Sequence, residues 1–76
     1  MHLINEEGTM NKEDLGKIIK RRREFLKIRQ SDLAEIAQVG LRYLVDIENG
    51  KGNPSIEKLE KILNVLGLQF EIGAKS

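Results

Sequence analysis

The sequence predicts a mainly α domain of four helices, closed by one short C-terminal β-strand. Three observations carry that prediction. Apolar residues recur at helical spacing through four separate stretches, as in Ile56, Leu59, Ile62, Leu63 and Leu66. Residues that start or stop helices, namely Asn11, Gly40, Gly50, Ser55 and Gly67, stand between or beside those stretches. Beyond the last of them, Leu68, Phe70 and Ile72 alternate with Gln69 and Glu71, which is the period of a strand.

The first helix is expected over about residues 12–26. Asn11 is a good N-cap, and Glu13 and Asp14 place carboxylates at the positive end of the helix dipole. Met10 and Leu15 have the spacing of a hydrophobic staple. Leu15, Ile18, Ile19, Arg22, Phe25 and Leu26 follow helical spacing. Gly16 inside this helix costs roughly 1 kcal/mol relative to Ala unless another backbone packs against it. Lys27-Ile28-Arg29 forms a corner, with Ile28 as a core plug.

A second helix runs from about Gln30 to Ala37, and Asp32 suits its N-terminal turn. Gln38-Val39-Gly40 makes a turn with Val39 pointing inward. A third helix follows from about Leu41 to Asn49, capped by Gly40 and stopped by Gly50 in the left-handed conformation. Lys51-Gly52-Asn53-Pro54 is a polar loop, and Ser55 caps a fourth helix that ends at Gly67. The strand over residues 68–72 needs a partner for its backbone groups. Leu3-Ile4 is one candidate; the same strand of a second copy, paired across a two-fold axis, is favoured. The chain then divides into an N-terminal arm (1–10, poorly ordered or a short edge strand), a helical domain (11–67), and a dimerising strand and tail (68–76).

Composition limits the function. Seventy-six residues make one domain whose lone core is marginal. With no Cys there is neither a disulfide nor a thiolate metal site, which fits a cytoplasmic protein. No apolar run approaches the ~20 residues of a membrane span, and the start, MHLINEEG, lacks the pattern of a signal peptide. The only aromatics are Phe25, Tyr43 and Phe70, too few for a platform that stacks single-stranded RNA. His2 is the lone His, and Glu48 has no partner at catalytic spacing, so neither an enzyme, a metal site nor a cofactor is expected.

The net charge is +1, but the charges are segregated. From Lys17 to Arg29 seven bases stand against one acid, Glu24. Such a block attracts phosphate locally or serves as a solvated helix face, the plainer reading for Lys17, Lys20 and Arg21.

The pattern Arg23…Gln30-x-x-Leu33-Ala34…Val39…Leu44…Ile47-Glu48-Asn49-Gly50-Lys51…Asn53-Pro54-Ser55…Leu59…Ile62…Leu66-Gly67 resembles the Cro/C1-type (Xre-like) helix-turn-helix proteins over about residues 12–67. The resemblance implies a four-helix lambda-repressor-like DNA-binding domain. Val39-Gly40-Leu41-Arg42-Tyr43, with the strand after the last helix, is further similar to HipB-like antitoxins, which repress their own toxin–antitoxin operon and pair such strands in a dimer.

The family's roles transfer by position. Gln30 matches the residue that bonds a phosphate and reaches toward a base. Gly40, Leu41, Arg42 and Tyr43, with Asp46 one turn on, match the turn that enters the major groove. Arg42 is the best direct reader, since a guanidinium bonds guanine O6 and N7 bidentately. Tyr43 suits a thymine methyl or a phosphate. Asp46 suits a cytosine amine or the orientation of Arg42. Asn49 and Lys51 match phosphate-clamping positions, and Arg23 with Glu48 matches a buried structural ion pair. Leu68, Phe70 and Ile72 are the dimerisation residues.

The sequence departs from the family pattern at Lys27 and Gln38, where Gly is usual, at Arg29, where a Ser, Thr or Asn cap is usual, and at Gly40, where a Ser or Thr cap is usual. The implied function is a dimeric, sequence-specific transcriptional repressor on a pseudo-palindromic duplex operator, with the antitoxin role and a HipA-like toxin partner as its extension. The alternative is a protein-interaction module that holds a toxin or other partner with little DNA readout.

Overall fold

Four helices follow one another: α1 (Lys12–Phe25), α2 (Gln30–Ala37), α3 (Leu41–Glu48) and α4 (Ile56–Leu66). The computed structural model describes residues 11–69. The expected staple residue Met10, the candidate edge Leu3-Ile4 and the strand residues Phe70 and Ile72 lie outside them. No strand is present among the described residues, where Gln69 takes an isolated bridge position.

Helix starts follow local chemistry. Asp14 N–H donates to Asn11 Oδ1 at 2.8 Å, and Lys58 N–H donates to Ser55 Oγ at 3.1 Å. Each satisfies a first-turn amide that the helix itself leaves unpaired. Arg29 and Gly40 precede α2 and α3 with no side-chain cap. Arg29 instead turns its guanidinium onto Asp32 in the first turn of α2, with Nε 2.9 Å from Oδ2.

Helix ends share one device. After α1, Lys27 N–H reaches Glu24 O and Ile28 N–H reaches Arg23 O. The same double closure recurs at Gln38/Val39, Gly50/Lys51 and Gly67/Leu68. The first residue of each pair is left-handed, with φ of 60°, 60°, 75° and 71°. This is the Schellman motif, which satisfies carbonyls that the last turn cannot. Ile28, Val39 and Leu68 then drop onto the core as the apolar residue that accompanies the motif. Two of the four left-handed positions are therefore held by Lys and Gln, which carry a Cβ where Gly would not.

α1 packs on α3 and α4, and α2 packs on α3 and α4. Ile19, Leu33, Leu44, Ile62, Leu63 and Leu66 are fully buried where the four meet. Each such Leu or Ile contributes about 1.5–3 kcal/mol of transfer free energy. Gly16 lets α1 lie against the backbone of α3. A Cβ there would strike Ile47 O and stand 2.7 Å from Glu48 O. Arg22, also on the inner side of α1, donates Nε–H to Leu66 O at 2.8 Å and so closes the end of α4.

The apolar stripes are narrower than their spacing suggests. Phe25 is 72% exposed, and Leu26 and Ile56 are also on the surface. Phe25 stands at the last turn of α1 beneath the Arg22 guanidinium, 5.4 Å from its ring centre. Ile56 is the first residue of α4 and precedes the buried Leu59 by nearly a turn.

Candidate nucleic-acid interface

α2 and α3 are joined by the three-residue turn Gln38-Val39-Gly40, and the tertiary contacts fix their mutual pose. The key contact is a buried cluster around Glu48, whose side chain is 1% exposed. Arg23 Nε donates to Glu48 Oε2 at 2.6 Å, and Arg23 Nη2 donates to Oε1 at 3.0 Å. Arg23 Nη1 donates to Ile28 O at 2.9 Å, which ties the corner before α2 to the same guanidinium. The hydrogen bonds to Glu48 hold the Arg23 pKa above its ordinary value, against the opposing effect of burial. Two parallel charge-assisted bonds give this pair its geometry.

Gln30, the first residue of α2, completes the cluster. Its Nε2 donates to Glu48 Oε1 at 2.9 Å. An ionised carboxylate only accepts, so the amide orientation of Gln30 is fixed: nitrogen inward, and the carbonyl oxygen on another side. In the sequence Gln30 and Glu48 stand 18 residues apart. The signal that links them is the placement of one polar residue at the start of α2 and a buried acid at the end of α3. No buried side-chain nitrogen or oxygen among the described residues lacks a hydrogen-bond partner.

The N-terminal turn of α3 is open. Nothing stands within 4 Å of where a Cβ on Gly40 would lie, so the backbone there is accessible. Leu41 is exposed, and the Arg42 side chain is 89% exposed. Arg42 Nε lies 3.5 Å from Asp46 Oδ1, one turn along the same face. Such an exposed pair contributes only a few tenths of a kcal/mol, on the order of 0.3–0.5, so it aims the guanidinium without locking it.

Tyr43 is half-buried and packs against the core. Its hydroxyl accepts from Ser55 N–H at 3.1 Å, and Lys58 Nζ lies 4.8 Å from its ring centre. Asn49 and Lys51 are exposed at the end of α3 and just beyond it. Lys51 N–H donates to Asp46 O at 2.8 Å, and Lys12 Nζ donates to Gly52 O at 2.8 Å. The loop after α3 is thus held from both sides, by α3 itself and by the first residue of α1. Leu68 is buried in the core of its own chain; Phe70 and Ile72 lie outside the described residues. No group of acidic residues or His able to hold a metal ion occurs among the described residues.

Residues 19–72 match the family described as helix-turn-helix. The chain belongs to that family. Its four helices and its relatives are those of the Xre/Cro-C1-like regulators rather than of enzymes. This helix-turn-helix chain is 39% identical over 59 residues to the uncharacterized HTH-type transcriptional regulator y4mF of Sinorhizobium fredii, covering 78% of each. It is 42% identical over 55 residues to the immunity repressor protein of Bacillus phage phi105, covering 72% of this chain but 38% of that protein. Among solved structures it is similar to SinR, described as the master regulator for biofilm formation in complex with DNA. There the identity is 43% and the TM-score 0.67, covering 72% of this chain and 89% of that one. No helix among the described residues is long and apolar enough to cross a membrane.

Proposed function

We propose that this helix-turn-helix protein binds a pseudo-palindromic operator in duplex DNA as a homodimer and represses transcription. One observation carries the reading. The first turn of α3 leaves Gly40, Leu41 and Arg42 open to solvent, with Arg42 almost fully exposed and steadied by Asp46. Such a turn fits the major groove, where a guanidinium reads guanine. The similarity to a repressor and to a regulator crystallised with DNA supports the same conclusion.

In this reading Asn49 and Lys51 meet phosphates and set the register, Gln30 reaches a phosphate through the Nε2 proton that Glu48 does not take, and Leu41 and Arg42 face base edges. Asp46 limits the swing of Arg42. Two copies present two α3 helices about 34–36 Å apart, one helical turn of DNA. Phe70 and Ile72 supply the dimer contact. The buried Leu68 anchors that segment to its own domain. Selection of duplexes from a random pool tests the reading. A two-fold repeated motif should emerge with half-sites about 10 bp apart centre to centre. A pool that stays unenriched would overturn it.

A narrower role, as the antitoxin of a toxin–antitoxin operon, is supported by Val39-Gly40-Leu41-Arg42-Tyr43 and the alternating Leu68–Ile72 segment. In that case a HipA-like kinase would bind the repressor dimer. Co-expression with the product of the neighbouring gene tests it: a stable complex that sharpens operator binding is expected, and a neighbour that neither binds nor is toxic would remove the antitoxin role. The protein-interaction alternative differs in one respect: it tolerates loss of the Arg42 charge.

A further inference from the structure

Lys58 is not one of the helix-turn-helix positions, yet its side chain reaches the recognition helix. Its ammonium lies 4.8 Å from the centre of the Tyr43 ring, which holds a cation over its electron-rich face. The Tyr43 hydroxyl accepts the Ser55 N–H at 3.1 Å. A phenol that accepts through its oxygen still has its own proton to give. Accepting from an amide also polarises the O–H bond and makes it the better donor. One ring therefore brings together a hydroxyl proton with no acceptor among the described residues and an exposed ammonium, both at the junction between α3 and α4.

We propose that Tyr43 Oη–H and Lys58 Nζ together hold one DNA phosphate, on the shoulder of the groove that α3 enters. This rests on the DNA-binding reading above. Tyr43 then acts as a backbone clamp rather than as a reader of thymine. Its half-buried ring cannot swing to follow a base edge, because the Ser55 amide and the core hold it. The lysine ammonium, by contrast, already lies over the ring face without DNA. Glu57 is the acid next to this site, but successive helical residues diverge by roughly 100°, so it projects to a different side of α4.

The test is a titration of fluorescent duplexes across a range of salt, with wild type, Lys58→Gln, Tyr43→Phe and Arg42→Ala, on selected and on scrambled DNA. Lys58 is exposed and its backbone amide, not its side chain, makes the cap bond, so Lys58→Gln keeps the fold. It should reduce the slope of log K against log salt by about one unit, and weaken both DNAs alike. Tyr43→Phe should weaken both several-fold with the slope unchanged. Arg42→Ala should act on the selected DNA alone. Wild-type binding with an unaltered slope in Lys58→Gln would overturn the shared site, as would loss of preference at a single base in Tyr43→Phe. A wild type with no salt-sensitive binding would overturn the DNA reading itself, and the clamp with it.

Discussion

Gly16 on α1 lies directly against the carbonyl of Glu48 on α3, so close that a Cβ would stand 2.7 Å from that oxygen. Helix propensity alone would make Gly16→Ala stabilising by about 1 kcal/mol. The contact reverses the sign, because the opposing atoms are backbone and cannot move aside without shifting α3. The expected result is a net loss of about 1–3 kcal/mol, read as a lower urea midpoint with an unchanged m-value. A gain in stability would mean that the two helices sit further apart.

The Arg23–Glu48 pair closes over the same junction. Arg23→Ala would leave Glu48 buried with only the Gln30 amide among its side-chain donors. The expected loss is about 3–5 kcal/mol, since an unpaired buried charge costs more than the pair contributes. Arg23→Lys should recover only part, because an ammonium cannot form the two-pronged contact. Thermal and urea unfolding of the two variants checks this order; equal stability would mean that the fork geometry is unimportant.

Lys27 and Gln38 each hold a left-handed position at a helix end, both at φ 60°. Gly has no Cβ to strain there, although its greater freedom in the unfolded chain offsets part of the gain. Gln38→Gly and Lys27→Gly should each raise stability by about 0.5–1 kcal/mol. That is a rise of several degrees in Tm for a domain of this size. A fall in Tm for either would show that its side chain makes contacts outweighing the backbone strain.

Arg42→Ala should weaken binding to selected operator DNA by about 1–3 kcal/mol and relax preference at one base pair per half-site. Its ion pair with Asp46 is exposed, so folding should be unchanged. Unchanged affinity and preference would remove Arg42 from the reading surface.

Phe70→Asp should shift sedimentation toward the monomer while helix content is retained, because the described core is built from residues of the four helices together with Leu68. An unaltered dimer would place the dimer contact elsewhere.

The sequence by itself determined the four helices and where they stop. Those signals act within a few residues: Asn11 and Ser55 meet amides three positions on, and Gly50 and Gly67 turn the chain without strain. They also gave the first turn of α3 its expected role, through the resemblance carried by Gln30-x-x-Leu33-Ala34 and Ile47-Glu48-Asn49-Gly50-Lys51. Lys27 and Gln38, by contrast, stand where the family pattern has Gly, and their left-handed backbone accompanies the Ile28 and Val39 side chains seating on the core. Only the tertiary structure decided that Gly16 is a contact, that Gln30 is oriented by Glu48, that Tyr43 is tied to Ser55 and Lys58, and that Phe25 stays outside. These are meetings of residues far apart in the chain. Helical spacing sets the face a side chain shares, whereas what lies opposite that face depends on how the four helices pack.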